Sequence, residues 1–239
     1  MKIGALIPVL NEWRFVPAVV GQVLKVADRC VIVRGKRSFS GAPAEISPVP
    51  KLDPRVEILE GSWRVEHEIR NAGIRVLSDC DYVISIDSDE ILLDDALEKI
   101  VSAFEKSIRV LVCQSYKYWK SPSYRIDPPE FLYIPVGVHK DVRFRDIRKP
   151  TEGVVITDQR LIHHLAYVRT DDEMREKIRL SGHAAEFIPG WFENVWKAWD
   201  TNRSLENLHP TFPEIFKRAV YDPDRELNET LRKYGVQPW

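Results

Sequence analysis

Four short runs rich in Val and Ile punctuate the first half of the chain: "KIGALIPV" (2–9), "CVIV" (30–33), "VEILE" (56–60) and "YVISI" (82–86). Runs this apolar leave little polar face to turn to water, so they suit parallel strands covered on both sides. Helical patterns lie between and after them. From Trp63 to Leu77, Val65, Ile69, Ala72 and Val76 recur at spacings of four, three and four, which puts them on one helical face. Leu97, Ile100, Val101 and Phe104 repeat the pattern, with Asp94 or Asp95 available as an N-cap. Strand and helix in alternation predict an α/β fold with a doubly wound, mostly parallel sheet, whose ligands bind beyond the carboxyl ends of the strands. Residues 1–110 make up this half.

After "RVLVCQ" (109–114) the alternation stops. "YKYWKSPSYRIDPPE" is aromatic and proline-rich, and "FLYIPVGV", "VRFR" and "GVVI" look like short antiparallel strands. Residues 111–239 therefore read as a smaller antiparallel and helical region of the same domain, a lid or second-substrate region. The proline-rich stretch 38–54 reads as an irregular surface loop and not a linker. With 239 residues, 44% of them hydrophobic, one large domain can bury a substantial core. Lys plus Arg total 35 against 36 Asp plus Glu, so no overall field attracts nucleic acid or an anionic membrane, and any partner must be recognised locally. Cys30, Cys80 and Cys113 are widely spaced among apolar neighbours, as reduced core thiols would be. The apolar opening is too short for a signal peptide. No apolar stretch approaches the roughly 18 residues of a transmembrane segment, so a soluble, cytoplasmic protein is expected.

The fourth run ends abruptly in acid. "YVISIDSDEIL" passes from a buried strand into Asp87, Ser88, Asp89 and Glu90. Carboxylates at i and i+2 on a strand point to opposite faces, but once the chain turns at the strand's end both can reach one hard divalent cation. Mg²⁺ or Mn²⁺ held by so few protein oxygens completes its shell with substrate phosphates and water. The plain alternative is solvated loop acids or caps of the following helix. Two enzyme classes place Asp-x-Asp at such a strand end. In dehalogenase-type phosphatases Asp87 would be the nucleophile, but that motif lies on the domain's first strand and ends in Thr or Val, where this chain has three earlier strand candidates and Ile91. In nucleotide-sugar glycosyltransferases of the GT-A fold the acids follow the nucleotide-binding half, which is the order here. The Gly-rich loop that sugar-nucleotide pyrophosphorylases carry after the first strand is absent.

The chain resembles glycosyltransferase family 2 in "ALIPVLNEW", in "RNAGIRVLSDCDYVISIDSDEIL", where Arg-Asn-x-Gly, an apolar strand and Asp-x-Asp occur together, and in "HLAYVR". The resemblance covers residues 1 to about 105 and, more loosely, 155–200. It implies a nucleotide-sugar donor whose base and ribose lie against Pro8, Val9, Leu10, Asn11 and Glu12, with Asp87 and Ser88 near the phosphates. Arg70 and Asn71 would approach the nucleotide, although Arg70 could instead pair with Glu66 one turn earlier. Where many members end the second strand with two acids that engage the base or ribose, this chain has Arg34 and Gly35, which leaves the base open and marks Arg34 as a base-pocket residue. A late histidine on the cation is implied at His164. His163 and His164 are adjacent on a strand, so only one can face the site.

"GWFENVWKAWD" places Phe192, Val195, Trp196 and Trp199 on one helical face, leaving Trp191 and Glu193 outside it to meet a donor sugar or acceptor. Inverting chemistry needs a carboxylate base, for which Asp158 and Glu193 are candidates. The expected protein is a metal-dependent glycosyltransferase with Mn²⁺ or Mg²⁺ on Asp87, Asp89 and His164. It would move a sugar to a glycan, lipid-linked or small-molecule acceptor held by the second half. The alternatives are a catalytically silent GT-A-like binding module and the phosphatase using Asp87.

Overall fold

A computed structural model describes residues 1–39, 41–42, 47–182 and 184–236 of the protein. In the first half, β1 (Ile3–Val9) lies between β2 (Arg29–Gly35) and β4 (Tyr82–Ser85), parallel to both, and β3 (Val56–Gly61) extends the sheet beyond β2. Alternation along β1 divides the core. Ala5 and Ile7 face a cluster with α1 (Val16–Val23) and α3 (Asp94–Glu105), while Leu6 faces α2 (Glu66–Val76) on the opposite side. All four expected strands and both expected helices are present. The Asp94 and Asp95 caps are not: Leu93 is the N-cap residue without a side-chain hydrogen bond, and the two acids sit in the first turn, where the helix dipole favours negative charge. Val65 precedes α2 and is exposed, leaving Ile69 and Ala72 as the buried part of the predicted stripe.

Gly73, from the Arg-Asn-x-Gly run, is where α2 meets the sheet most closely. A β-carbon there would sit 2.1 Å from Leu6 Cδ1 and 3.0 Å from Val33 Cγ2, in a cluster with no room to give. Gly73→Ala should therefore destabilise the protein by about 1–3 kcal/mol, as overpacking does, read as a lowered midpoint in urea denaturation. An unchanged midpoint would mean that α2 shifts freely on the sheet.

The second half supplies the antiparallel strands. β8 (Ile134–His139) inserts between β4 and β6 (Val110–Trp119), antiparallel to each, and β7 (Ser121–Asp127) and β12 (Arg218–Tyr221) complete that edge. "VRFR" contributes β9 (Phe144–Arg145), paired with β10 (Lys149–Pro150). "RVLVCQ" continues through the aromatic stretch to Trp119 and turns at Lys120, which has a φ of 62°. "GVVI" is not a short antiparallel strand. It opens β11 (Val155–Tyr167), which runs parallel to β6 and antiparallel to β5 (Glu90–Leu92). Thr170 and Glu173 form a capping box at the start of α4 (Asp171–Leu180). A separate aromatic core of Trp119, Trp191, Trp196, Trp199 and Phe216 packs with α5 (Ala198–Thr201), whereas α6 (Arg225–Lys233) buries Leu227 and Leu231 in the cluster around α1. The described part of 38–54 carries neither helix nor strand, and residues 40 and 43–46 of that loop lie outside the described residues. All three cysteines are free and buried. No helix among the described residues is long and apolar enough to cross a membrane.

Candidate active site at the strand-end acids

β4 stops where its last sheet bond is made, with the Ile86 amide donating to the Leu6 carbonyl at 3.1 Å. The chain then turns tightly: the Glu90 amide donates to the Asp87 carbonyl (3.1 Å), and the Asp87 amide to the Glu90 carboxylate (3.0 Å). Reversal sends β5 against β11, with Glu90 opposite His164 and the Leu165 amide donating to the Asp89 carbonyl at 2.7 Å. Residues that β-alternation would have set on opposite faces thus point into one cleft of about 480 Å³. Pro8, Val9, Leu10 and Glu12 form one wall, Gly35, Arg37 and Ser38 the end of β2, and Asp87, Ser88 and Asp89 the floor. Lys117, Glu130, His164 and Lys177 close it from the second half.

The two aspartates have different partners. Asp87 accepts from Arg70 (2.6 Å) and Arg148 (3.3 Å). Arg70 is 1% exposed and also pairs with Glu66 (2.7 Å) and donates to Ser85 Oγ (3.2 Å), so the helix pair and the contact with the acidic tip coexist. Arg148 also meets Glu90 (3.0 Å) and the Ser85 carbonyl (2.6 Å). Burial opposes ionisation of Asp87, but Arg70 and Arg148 outweigh it and hold its carboxyl below the usual range. Asp89 faces Arg169 at 3.2 Å, His164 Nε2 at 3.4 Å and Lys177 at 3.8 Å, and Arg169 also pairs with Glu12. Burial raises the Asp89 pKa, but His164, then Lys177 and Lys117, lower it by more, so the net shift is well down. The same crowding acts on the bases. Burial and neighbouring cations pull Lys177 down to about 8, and burial pulls Arg169 down to about 10.

His164 points into the cleft and His163 away from it, as alternation requires. His163 is buried with Nδ1 2.7 Å from the Tyr118 hydroxyl, and burial lowers it to about 4. His164 Nδ1 lies 2.5 Å from Lys117 Nζ, which approaches Glu130 at 3.4 Å. An ammonium has only donors, so this contact makes Nδ1 the acceptor and leaves the ring proton on Nε2, facing Asp89.

Other expected residues lie elsewhere. Asn11 lines a neighbouring cavity of about 730 Å³ with Trp13 and Arg169. Asn71 ties α2 to β9, accepting from the Phe144 amide (2.8 Å) and donating to its carbonyl (2.9 Å). Arg34 faces away from the cleft, because Gly35 takes the cleft-facing position at the end of β2. The Arg34 guanidinium is buried against Trp13, pairs with Glu60 (3.1 Å) and donates to the Ser47 carbonyl. Trp191 is in the aromatic core, its indole donating to the Leu208 carbonyl at 2.9 Å, and presents no face to a sugar. Glu193 is exposed near Lys197 (3.8 Å), and Asp158 is exposed and accepts from the Tyr133 hydroxyl (2.6 Å); neither lines the cleft. Lys117, Glu130, Arg148, Arg169 and Lys177 were not singled out from the sequence, although Lys117 stands as a lone cation within an apolar strand and Arg169 ends the "HLAYVR" run.

A parallel half-sheet with paired acids at the end of its fourth strand, closed by an antiparallel second half, is the arrangement of GT-A nucleotide-sugar enzymes. The chain belongs to glycosyl transferase family 2, whose model matches residues 5–166. Solved structures that align with it do so distantly. Glucosyl-3-phosphoglycerate synthase from Mycobacterium tuberculosis, solved with Mn²⁺, uridine diphosphate and glucosyl-3-phosphoglycerate, is 15% identical over 48% of this chain, with a TM-score of 0.35. The alignment spans 44% of that enzyme, less than half its length. 4-Diphosphocytidyl-2C-methyl-D-erythritol synthase from Anaerococcus prevotii is 13% identical over 73% of this chain and 93% of its own, with a TM-score of 0.44. No curated protein sequence matches the chain.

Proposed function

We propose that this protein transfers a sugar from a nucleotide-sugar donor to an acceptor hydroxyl, and that Asp89 and His164 are the residues that would hold a divalent cation beside the donor. The observation that carries the reading is the pairing of Asp89 Oδ1 with His164 Nε2 at 3.4 Å on the cleft floor. Adjacent ligands of an octahedral Mg²⁺ or Mn²⁺ are roughly 3 Å apart, so these two atoms would suit neighbouring positions once Lys117 turns from the ring to Glu130 and the ring proton passes from Nε2 to Nδ1. Asp87 remains with its arginines, and among the described residues no group of three His, Cys, Asp or Glu side chains is placed to hold a metal. Two protein donors plus phosphate oxygens and water is a usual Mg²⁺ shell. When bound, the cation neutralises charge developing on the leaving diphosphate.

The chain's own groups do the rest. Glu12 and the strand ends receive the nucleoside, and Lys117 and Lys177 offer fixed positive charge to the phosphates. Arg70 and Arg148 hold the acidic turn in place. As the acceptor oxygen bonds to the anomeric carbon, the bond to the diphosphate breaks and the nucleoside diphosphate leaves with the electron pair. The hydroxyl proton needs a carboxylate, and Glu130 lines the cleft, unlike Asp158 and Glu193. The phosphatase reading is disfavoured because both Asp87 oxygens are engaged by arginines, which blunts a nucleophile.

Calorimetric titration with UDP, GDP and dTDP, with and without Mn²⁺, tests donor binding, and Mn²⁺-dependent hydrolysis of the matching nucleotide-sugar separates an enzyme from a silent binding module. Absence of nucleotide binding under both conditions would overturn the proposal. His164→Ala should raise the Mn²⁺ concentration for half-maximal turnover by about 10–100-fold, whereas His163→Ala should leave it unchanged and lower thermal stability. The reverse pattern would reassign the ligand.

A further inference from the structure

On the far side of the acidic turn lies another cavity, of about 770 Å³, with one aliphatic wall of Leu132, Ile134, Ile147, Val154 and Ile156 and with charged side chains on the side of the turn. It adjoins the cleft: Glu66, Asp87, Lys117 and His164 line both. The apolar character spreads onto the surface around it. Six of the twelve exposed large hydrophobic side chains among the described residues fall between 131 and 156: Phe131, Leu132, Ile147, Val154, Val155 and Ile156. Single exposed apolar residues need no explanation, but a contiguous group beside a reaction centre marks a binding surface. Two cations stand free at its edge. Arg145 and Lys149 line the cavity and neither pairs with a carboxylate among the described residues, whereas the lining acids are engaged elsewhere: Asp87 and Glu90 by Arg148, Glu66 by Arg70 and Glu152 by Arg109.

An aliphatic groove with unpaired cations at its mouth, opening onto the strand-end acids, complements an amphiphile with a hydrocarbon chain and an anionic head group. We propose that this groove holds the chain of a lipid-linked acceptor, with Arg145 and Lys149 engaging its anionic head group and the accepting oxygen delivered to the cleft beside Asp87 and His164. This rests on the glycosyltransferase reading for the role of acceptor, though not for the binding of the chain. The near-neutral net charge of the protein does not oppose it, since recognition is local.

The test is calorimetric titration of the full chain, with Mn²⁺ and the favoured nucleoside diphosphate present, using n-hexyl, n-octyl and n-decyl phosphate below their micelle concentrations. Affinity should rise roughly fourfold per added methylene, with inorganic phosphate far weaker than any of them. The double variant Ile147→Ser, Ile156→Ser, altering two exposed side chains, should weaken decyl phosphate at least tenfold and flatten the chain-length series while leaving nucleoside diphosphate affinity unchanged. Nucleotide binding without a chain-length dependence, or a dependence the double variant does not alter, overturns the groove and leaves the glycosyltransferase reading standing. A chain-length dependence without any nucleotide binding leaves the lipid site but removes its role as acceptor site. Sedimentation and flotation complete the experiment: a dimer that the double variant dissociates would show that a second copy covers the groove. Binding to phosphatidylglycerol vesicles without affinity for monomeric alkyl phosphates would make it a membrane-docking face. Either result overturns the proposal.

Discussion

Asp89→Asn is expected to lower sugar transfer by about a thousandfold, roughly 4 kcal/mol of transition-state stabilisation, with the fold retained. The amide keeps the shape of the side chain and the backbone bond from Leu165, and Arg169 keeps Glu12 and the Ala166 carbonyl. What disappears is the negative charge facing His164 and Lys177. Mn²⁺-dependent stabilisation by a nucleoside diphosphate should vanish with it in a thermal-shift assay. A folded variant that still transfers at the wild-type rate would show that the diphosphate is neutralised without this carboxylate.

The second large effect falls on stability. Arg70→Met should cost about 3–5 kcal/mol, the usual range for removing one member of a buried ionic group, and lower Tm by about 10 °C for a domain of this length. Arg70 holds Asp87, Glu66 and Ser85 at once; without it Asp87 keeps only Arg148, and Glu66 loses its near partner. Adding Asp87→Asn should recover part of the loss, because the uncompensated charge goes with it. Calorimetric Tm values for the two single variants and the double variant close the cycle. A fall below about 2 °C, or no recovery in the double variant, would show that Arg70 does not anchor the turn.

Much of the architecture was legible because its signals are local. The parallel strands, α2 and α3 follow from spacings within a dozen residues, and alternation on one strand allows only one of His163 and His164 to face the site, the choice of His164 resting on the family resemblance. Trp191 was misplaced for an equally local reason. The stripe assumed 3.6 residues per turn, whereas Phe192–Lys197 winds as a π-helix, which widens the turn and lets side chains five apart share a face. Trp191 and Trp196 accordingly lie with ring centroids 6.1 Å apart inside the same core. Arg34 was misread because substitution for the family's acidic pair was taken to imply the same orientation, when alternation along β2 turns it from the cleft.

By itself, the sequence determined the parallel half of the sheet, the acids at the end of its fourth strand and the family to which the chain belongs, since each is written in neighbouring residues. Tertiary structure alone decided what those acids face. Arg148 reaches Asp87 across 61 positions and Arg169 reaches Asp89 across 80, and such pairings depend on how β5, β11 and the loop before β10 pack, which no local period encodes. The aliphatic groove is also a tertiary product. Leu132, Ile147 and Ile156 are ordinary core residues by composition and remain at the surface because, among the described residues, no segment of the antiparallel half covers them.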